Sequence, residues 1–132
     1  MGDLTKNLSR VEFACKDGCG LNNISMELVT LLQEVSDEMD KTFPPGYHIP
    51  IKITSGCRCF VHNKKEGGKI DSDHLGGKDR ECEGADVDCP DSSFRYKFLK
   101  AALPRFRRIG IGKTFFHVGV RKENPQEVIW LY

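Results

Sequence analysis

The chain has no apolar run near the roughly 20 residues that a membrane-spanning helix needs, so no transmembrane segment is expected. It has no excess of either charge: Lys and Arg number 20, Asp and Glu 19, and the net charge over 132 residues is +1. That balance argues against a protein that wraps nucleic acid or adheres electrostatically to membranes. The opening Met-Gly-Asp-Leu-Thr-Lys-Asn has no apolar core, so no signal peptide is visible. There is no internal repeat, no low-complexity segment and no linker, and a single domain over residues 1–132 is expected. What is present in unusual amount is cysteine, with six in a short chain. They come as Cys15/Cys19, Cys57/Cys59 and Cys82/Cys89, and none of these spacings is the C-x2-C of a zinc knuckle. Disulfides are open to a protein working outside a reducing cytosol.

Apolar residues at 24, 28, 31, 32, 35 and 39 put one stripe on an amphipathic helix running from Ile24 to about Lys41. Ser25 can cap it, and Pro44-Pro45-Gly46 ends it. Ahead of it, Val11 and Phe13 are expected core anchors in an irregular lead-in. His48–Thr54 alternates and reads as a half-buried strand. Residues 55–90 are rich in glycine and polar groups and read as a long loop with one short helix, a length that is usually functional. Ser92 or Ser93 can cap a second helix that Pro104 stops near Leu103. Phe115–Arg121 and Glu127–Tyr132 read as strands. The fold class expected is α+β: a small antiparallel sheet packed on two main helices, with a long irregular loop.

The loop carries Ser72-Asp73-His74 and Gly84-Ala85-Asp86-Val87-Asp88, and a later strand carries Phe116-His117-Val118. Two imidazoles and a carboxylate are ligands zinc accepts, and three of them leave a fourth position for water, the pattern of a catalytic metal site. By themselves the same residues also fit two satisfied histidines and a loop aspartate.

Six pieces in order resemble the zinc D-alanyl-D-alanine carboxypeptidase family, in its short single-domain bacterial and phage members. They are Leu8–Cys15, Ser55-Gly-Cys-Arg58-Cys-Phe-Val-His62-Asn63, Gly67-Gly68 with Ser72-Asp-His74, Ala85-Asp86-Val87, Phe115-Phe-His117-Val118, and the closing Val128-Ile-Trp130-Leu-Tyr132. The resemblance implies a Zn2+ cofactor held by His74, Asp86 and His117. It implies that Arg58 grips the substrate's terminal carboxylate, as a planar guanidinium can, and that Ser72 hydrogen-bonds the substrate near the metal, although Ser72 also fits as a turn cap. His62 and Asn63 would support the loop. Lys64-Lys65 and Arg105-Arg107-Arg108 read as solvated faces, and His48 as structural or exposed.

The chain departs from the family pattern twice. Asp86 follows His74 by twelve positions where the family has seven, so Lys78–Cys82 reads as an insertion, and Asp88 competes with Asp86 as ligand. The family's acid two residues after the last histidine is Gly119, and the acid that other branches carry three residues before it is Thr114. The general base is therefore not identified; Asp88, Asp73 and Glu83 are the candidates. The function implied is a zinc metallopeptidase hydrolysing peptidoglycan peptides, as a carboxypeptidase or endopeptidase of phage-endolysin type. It would act at the cell wall from the periplasm or outside, or after phage delivery. The alternative is a catalytically weak cell-wall or protein-binding module of the same fold. A third reading is a cysteine-based structural zinc or redox protein, which predicts metal loss on replacing Cys82 and Cys89 but not on His74→Ala. A cross-link or close packing among Cys57, Cys59, Cys82 and Cys89 is expected to hold the enlarged loop.

Overall fold

The computed structural model describes residues 2–132. A short 3-10 turn, Arg10–Phe13, leads to α1 (Met26–Asp40), β1 (Ile53–Ser55), α2 (Phe60–Lys65), β2 (Gly84–Asp88), α3 (Ser92–Ala102), β3 (Arg108–Ile111), β4 (Phe115–Gly119) and β5 (Val128–Leu131). The strands form one sheet in the order β1-β2-β4-β3-β5. Every pairing is antiparallel except β3 with β5, which is parallel. The fold is α+β, and its sheet is mixed at one edge rather than purely antiparallel. Among the described residues, no helix is long and apolar enough to cross a membrane.

The helix over Met26–Asp40 starts where Ser25 accepts the Leu28 amide. It buries Leu28, Leu32, Val35 and Met39 against the sheet's inner face. That face is set by strand alternation: Ala85 and Val87 of β2 and Phe116 and Val118 of β4 are each 0 % exposed. Phe98 of α3 stacks on Phe116 with ring centres 4.7 Å apart. Consequently Gly84, Asp86 and Asp88, with Phe115, His117 and Gly119, turn to the opposite face.

Several expectations need correcting. Val11 is exposed and only Phe13 of that pair is core. The strand expected over His48–Thr54 pairs only from Ile53 to Ser55, because Pro50 has no amide to give a ladder; Ile51 and Ile53 still face inward. The cap of α3 is Asp91, whose Oδ1 accepts the Phe94 amide at 2.7 Å, since the helix begins one residue earlier than expected. Residues 55–90 hold the expected short helix, α2, but they also hold a strand: Asp86 stands on β2, between β1 and β4, and not in a loop.

Candidate metal centre

Asp86 of β2 and His117 of β4 are direct cross-strand partners, so register alone brings their side chains side by side. His74 comes from the loop before β2. That loop is tied down by hydrogen bonds from the Arg58 amide to His74 O at 2.9 Å and from the Gly76 amide to Arg58 O at 3.1 Å. The three donors converge: Asp86 Oδ1 is 3.1 Å from His74 Nε2 and 3.0 Å from His117 Nδ1, and the two nitrogens are 3.2 Å apart. His74 and His117 are buried and Asp86 is half-buried.

The outward ring nitrogens identify the tautomers. His74 Nδ1 lies 2.8 Å from Gly56 O, a carbonyl that can only accept, so this nitrogen carries the proton. His117 Nε2 lies 2.8 Å from Asp73 Oδ2 and donates to that carboxylate. Both inner nitrogens are then lone pairs aimed at each other and at Asp86 Oδ1. Three acceptors face to face repel unless a cation or a proton sits among them, and two imidazoles and a carboxylate, each ring oriented from behind, are a donor set suited to zinc. The electrostatics agree. Burial opposes charge on Asp86, yet the two histidines outweigh it and hold its carboxyl well below the usual carboxylate range. Burial also pushes His117 down, but Asp73 and Asp86 win and push it up. His74 goes the other way: burial lowers it and Asp86 only partly offsets this.

Asp73 explains Gly119. Gly84 and Gly119 are cross-strand partners and leave a slot in which the Asp73 side chain lies. A Cβ on Gly84 would come within 2.6 Å of Asp73 Cβ, and one on Gly119 would collide with Asp73 Oδ2. A carboxylate thus does stand beside His117, supplied by the loop rather than by position 119. It is 1 % exposed at the side chain and fully engaged, accepting from His117, from Arg108 Nε at 3.1 Å and from Asn124 Nδ2 at 3.0 Å. Burial opposes its charge, but His117 and Arg108 keep its carboxyl below the ordinary value.

The donors open into a cavity of about 820 Å³ whose walls include Arg58, Ser72, Trp130 and Tyr132. Arg58 Nη2 stands 3.7 Å from Asp86 Oδ2. Ser72 Oγ accepts the His74 amide at 3.2 Å, which caps the turn. Asp88 and Glu83 do not line the cavity. Asp88 is a further two residues along β2, about 7 Å beyond Asp86, and Glu83 pairs with Arg121 at 3.1 Å. The carboxylates that do line it, besides Asp73 and Asp86, are Glu66 and Asp71.

A model of the family described as Peptidase M15 matches residues 4–119. The chain belongs to that family. Membership supports a peptidase, and the family's metallopeptidase character agrees with the donor set. No curated protein matches the chain.

Three supporting groups in this peptidase went unnoticed in sequence. Arg108 is not part of a solvated face: besides holding Asp73, its guanidinium lies 5.0 Å from the Trp130 ring centre. Arg121, 1 % exposed, donates to Ser72 O and Leu75 O and so clamps the His74 loop. Asn124 bonds Asp71 O at 2.7 Å as well as Asp73. The residues read as inserted form a tight turn, with Gly77 and Arg80 bridged, and Cys82 is disulfide-bonded to Cys57 with Cα atoms 5.1 Å apart. The insertion therefore bulges outward between fixed ends. Cys59 and Cys89 do not join that bond: Cys89 is free and buried, and Cys59 gathers with Cys15 and Cys19. Cys82, bonded to Cys57, offers no free thiolate, so the metal loss that the third reading predicts on replacing Cys82 and Cys89 is not expected. Asn63 supports the loop as expected, donating to Lys69 O at 2.9 Å, and His48 pairs with Asp40 near the surface.

Proposed function

We propose that the chain is a zinc peptidase that hydrolyses peptidoglycan peptides, as a D,D-carboxypeptidase or an endopeptidase. The observation that carries this reading is the convergence of three lone pairs, from His74, Asp86 and His117, at the wall of a peptide-sized cavity. Zinc bound there supplies a Lewis acid and a water whose pKa falls to about 7. The chain's own residues do the rest. Gly56 O and Asp73 hold the two rings with their inner nitrogens aimed at the ion. Arg58 offers a fork for a substrate carboxylate beside the donors. Ser72, its oxygen already accepting an amide, keeps its O–H to donate to the peptide. Trp130 and Tyr132 wall the site against water. Action on such a substrate places the protein at the cell wall, from the periplasm or outside, or after phage delivery.

The test is incubation with peptidoglycan fragments, read by mass spectrometry. Zinc-dependent release of D-alanine or of shorter peptides supports the reading. A second reading, a binding module of the same fold, is favoured by the engagement of both carboxylates nearest the donors. It predicts retention of intact fragments by the zinc-loaded protein with no cleavage.

A further inference from the structure

Three of the six cysteines meet in a second group, separate from the His74–Asp86–His117 donors, that the peptidase reading does not use. Sγ of Cys15, Cys19 and Cys59, together with a carboxylate oxygen of Asp17, all lie within 4.8 Å of one another. His62 Nδ1 lies 3.2 Å from Cys15 Sγ. In sequence the set is Cys15-x3-Cys19 followed by Cys59-x2-His62, and three thiols with one imidazole are a structural zinc donor set. The first pair falls within the two-to-four-residue spacing such sites favour.

The surroundings are built for it. Gly18 and Gly20 both have φ of +82°, a left-handed conformation that L side chains rarely adopt, and they turn the chain so that Cys19 returns to Cys15. His62 is 8 % exposed, and its Nε2 lies 3.2 Å from Glu66 Oε1. That is the carboxylate–histidine pairing that orients a metal-binding ring and directs its other nitrogen to the ion. The His62 amide donates to Cys59 Sγ at 3.4 Å, which ties the start of α2 to the thiol. Asp17 hydrogen-bonds across the group. It accepts from Cys59 Sγ at 2.9 Å, from Cys15 Sγ at 3.2 Å and from the Cys19 amide at 2.9 Å.

We propose that Cys15, Cys19, Cys59 and His62 bind a structural zinc ion, separate from the peptidase site. The thiols enter as thiolates, so binding releases their protons to solvent, and no redox step is involved. The ion pins the lead-in Cys15–Cys19 to the start of α2. Because Cys57 is bonded to Cys82, both neighbours of Arg58 are then anchored. The inference does not depend on the peptidase reading.

The experiment is elemental analysis with cobalt substitution, on protein prepared without chelator or oxidant. The wild type is expected to hold two zinc ions. The double variant His74→Ala/His117→Ala is expected to hold one, and its cobalt form to show the thiolate-to-cobalt charge-transfer absorption of a tetrahedral sulfur site. Cys19 is exposed, so Cys19→Ser removes no core packing; it should weaken the remaining ion by about 100-fold or more, as should His62→Ala. Asp17→Asn should retain it. If the peptidase-site reading alone fails, the wild type holds one ion and keeps the charge-transfer band. The inference is overturned if the double variant binds no metal, if its cobalt spectrum lacks the band, if the thiols are isolated as a disulfide, or if Asp17→Asn rather than His62→Ala releases the ion.

Discussion

The His74–Asp86–His117 cluster and the Cys15–Cys19–Cys59 cluster are both groups of metal-binding atoms, yet they are assembled differently. Two of the first three side chains stand on adjacent strands in register, above a core face of fully buried residues, and each imidazole is held from behind by an acceptor. The thiols come from a glycine turn and from the residue capping a six-residue helix. The sheet cluster is preorganised by backbone pairing that exists whether or not an ion is bound. The thiol cluster is held by hydrogen bonds to Asp17, which a bound ion would replace. A catalytic centre needs its geometry ready before substrate arrives; a structural ion contributes by supplying geometry that its segment lacks.

The sharpest way to break the comparison is His117→Ala. It should reduce peptide release to background while leaving the melting curve cooperative and the thiol-bound ion in place, because the side chain lies on the face of β4 opposite Phe116 and Val118. Peptide release and metal content, measured on one preparation, check it. Release at wild-type rate would remove the ion from the mechanism.

Next in size is the covalent tie on the loop side. Replacing both Cys57 and Cys82 by serine opens a loop of sequence separation 25 and should cost about 3.5 kcal/mol. For a chain of this length that lowers the melting temperature by roughly 10 °C. A shift of a degree or two would mean that the hydrogen bonds of Cys82 to Asn23 O and from the Ser25 amide already hold the insertion.

A smaller effect tests the slot between the glycines. Asp73→Asn keeps the shape but removes the charge that orients His117, and should weaken metal binding at the sheet cluster by about 10–100-fold, with no change at the thiols. Gly119→Ala should act in the same direction by pushing Asp73 away. Titration with a competing chelator resolves the two sites. Equal weakening of both would show that Asp73 supports the fold rather than the ring.

Helical apolar spacing made α1 legible in sequence, caps and Pro104 bounded α3, alternation marked β4, and a run of family-like motifs picked out His74, Asp86 and His117, while β2 was hidden in what read as a loop. What surrounds those three residues was not legible, for physical reasons. Arg108 stands among arginines that read as solvated and Arg121 closes an expected strand; their partners in the loop over residues 71–75 appear only on folding. The carboxylate expected at position 119 comes instead from Asp73, which depends on Gly84 and Gly119 being opposite each other across two strands. Residue spacing carries no record of that register. The thiol cluster joins residues some forty positions apart, and sequence offered two nearer pairings for Cys59 and Cys82 that the structure does not make.

The smallest expected effect falls on Arg58, where the two clusters meet. Its amide and carbonyl both bond the His74 loop and its neighbours are Cys57 and Cys59, so the backbone is fixed independently of the side chain. Arg58→Lys should therefore leave melting unchanged. The guanidinium is only 18 % exposed, but it already faces Asp86 at 3.7 Å, so part of its charge is engaged and the full 1.5–3 kcal/mol of a charged hydrogen bond is not expected. Keeping the charge while losing the fork should lower kcat/KM by about 10-fold on a substrate ending in a free carboxylate, chiefly through KM. A peptide whose terminal carboxylate is amidated should lose that preference and respond equally to both proteins. If both substrates fall together, Arg58 acts through Asp86 on the metal centre, and the carboxylate grip belongs to another group.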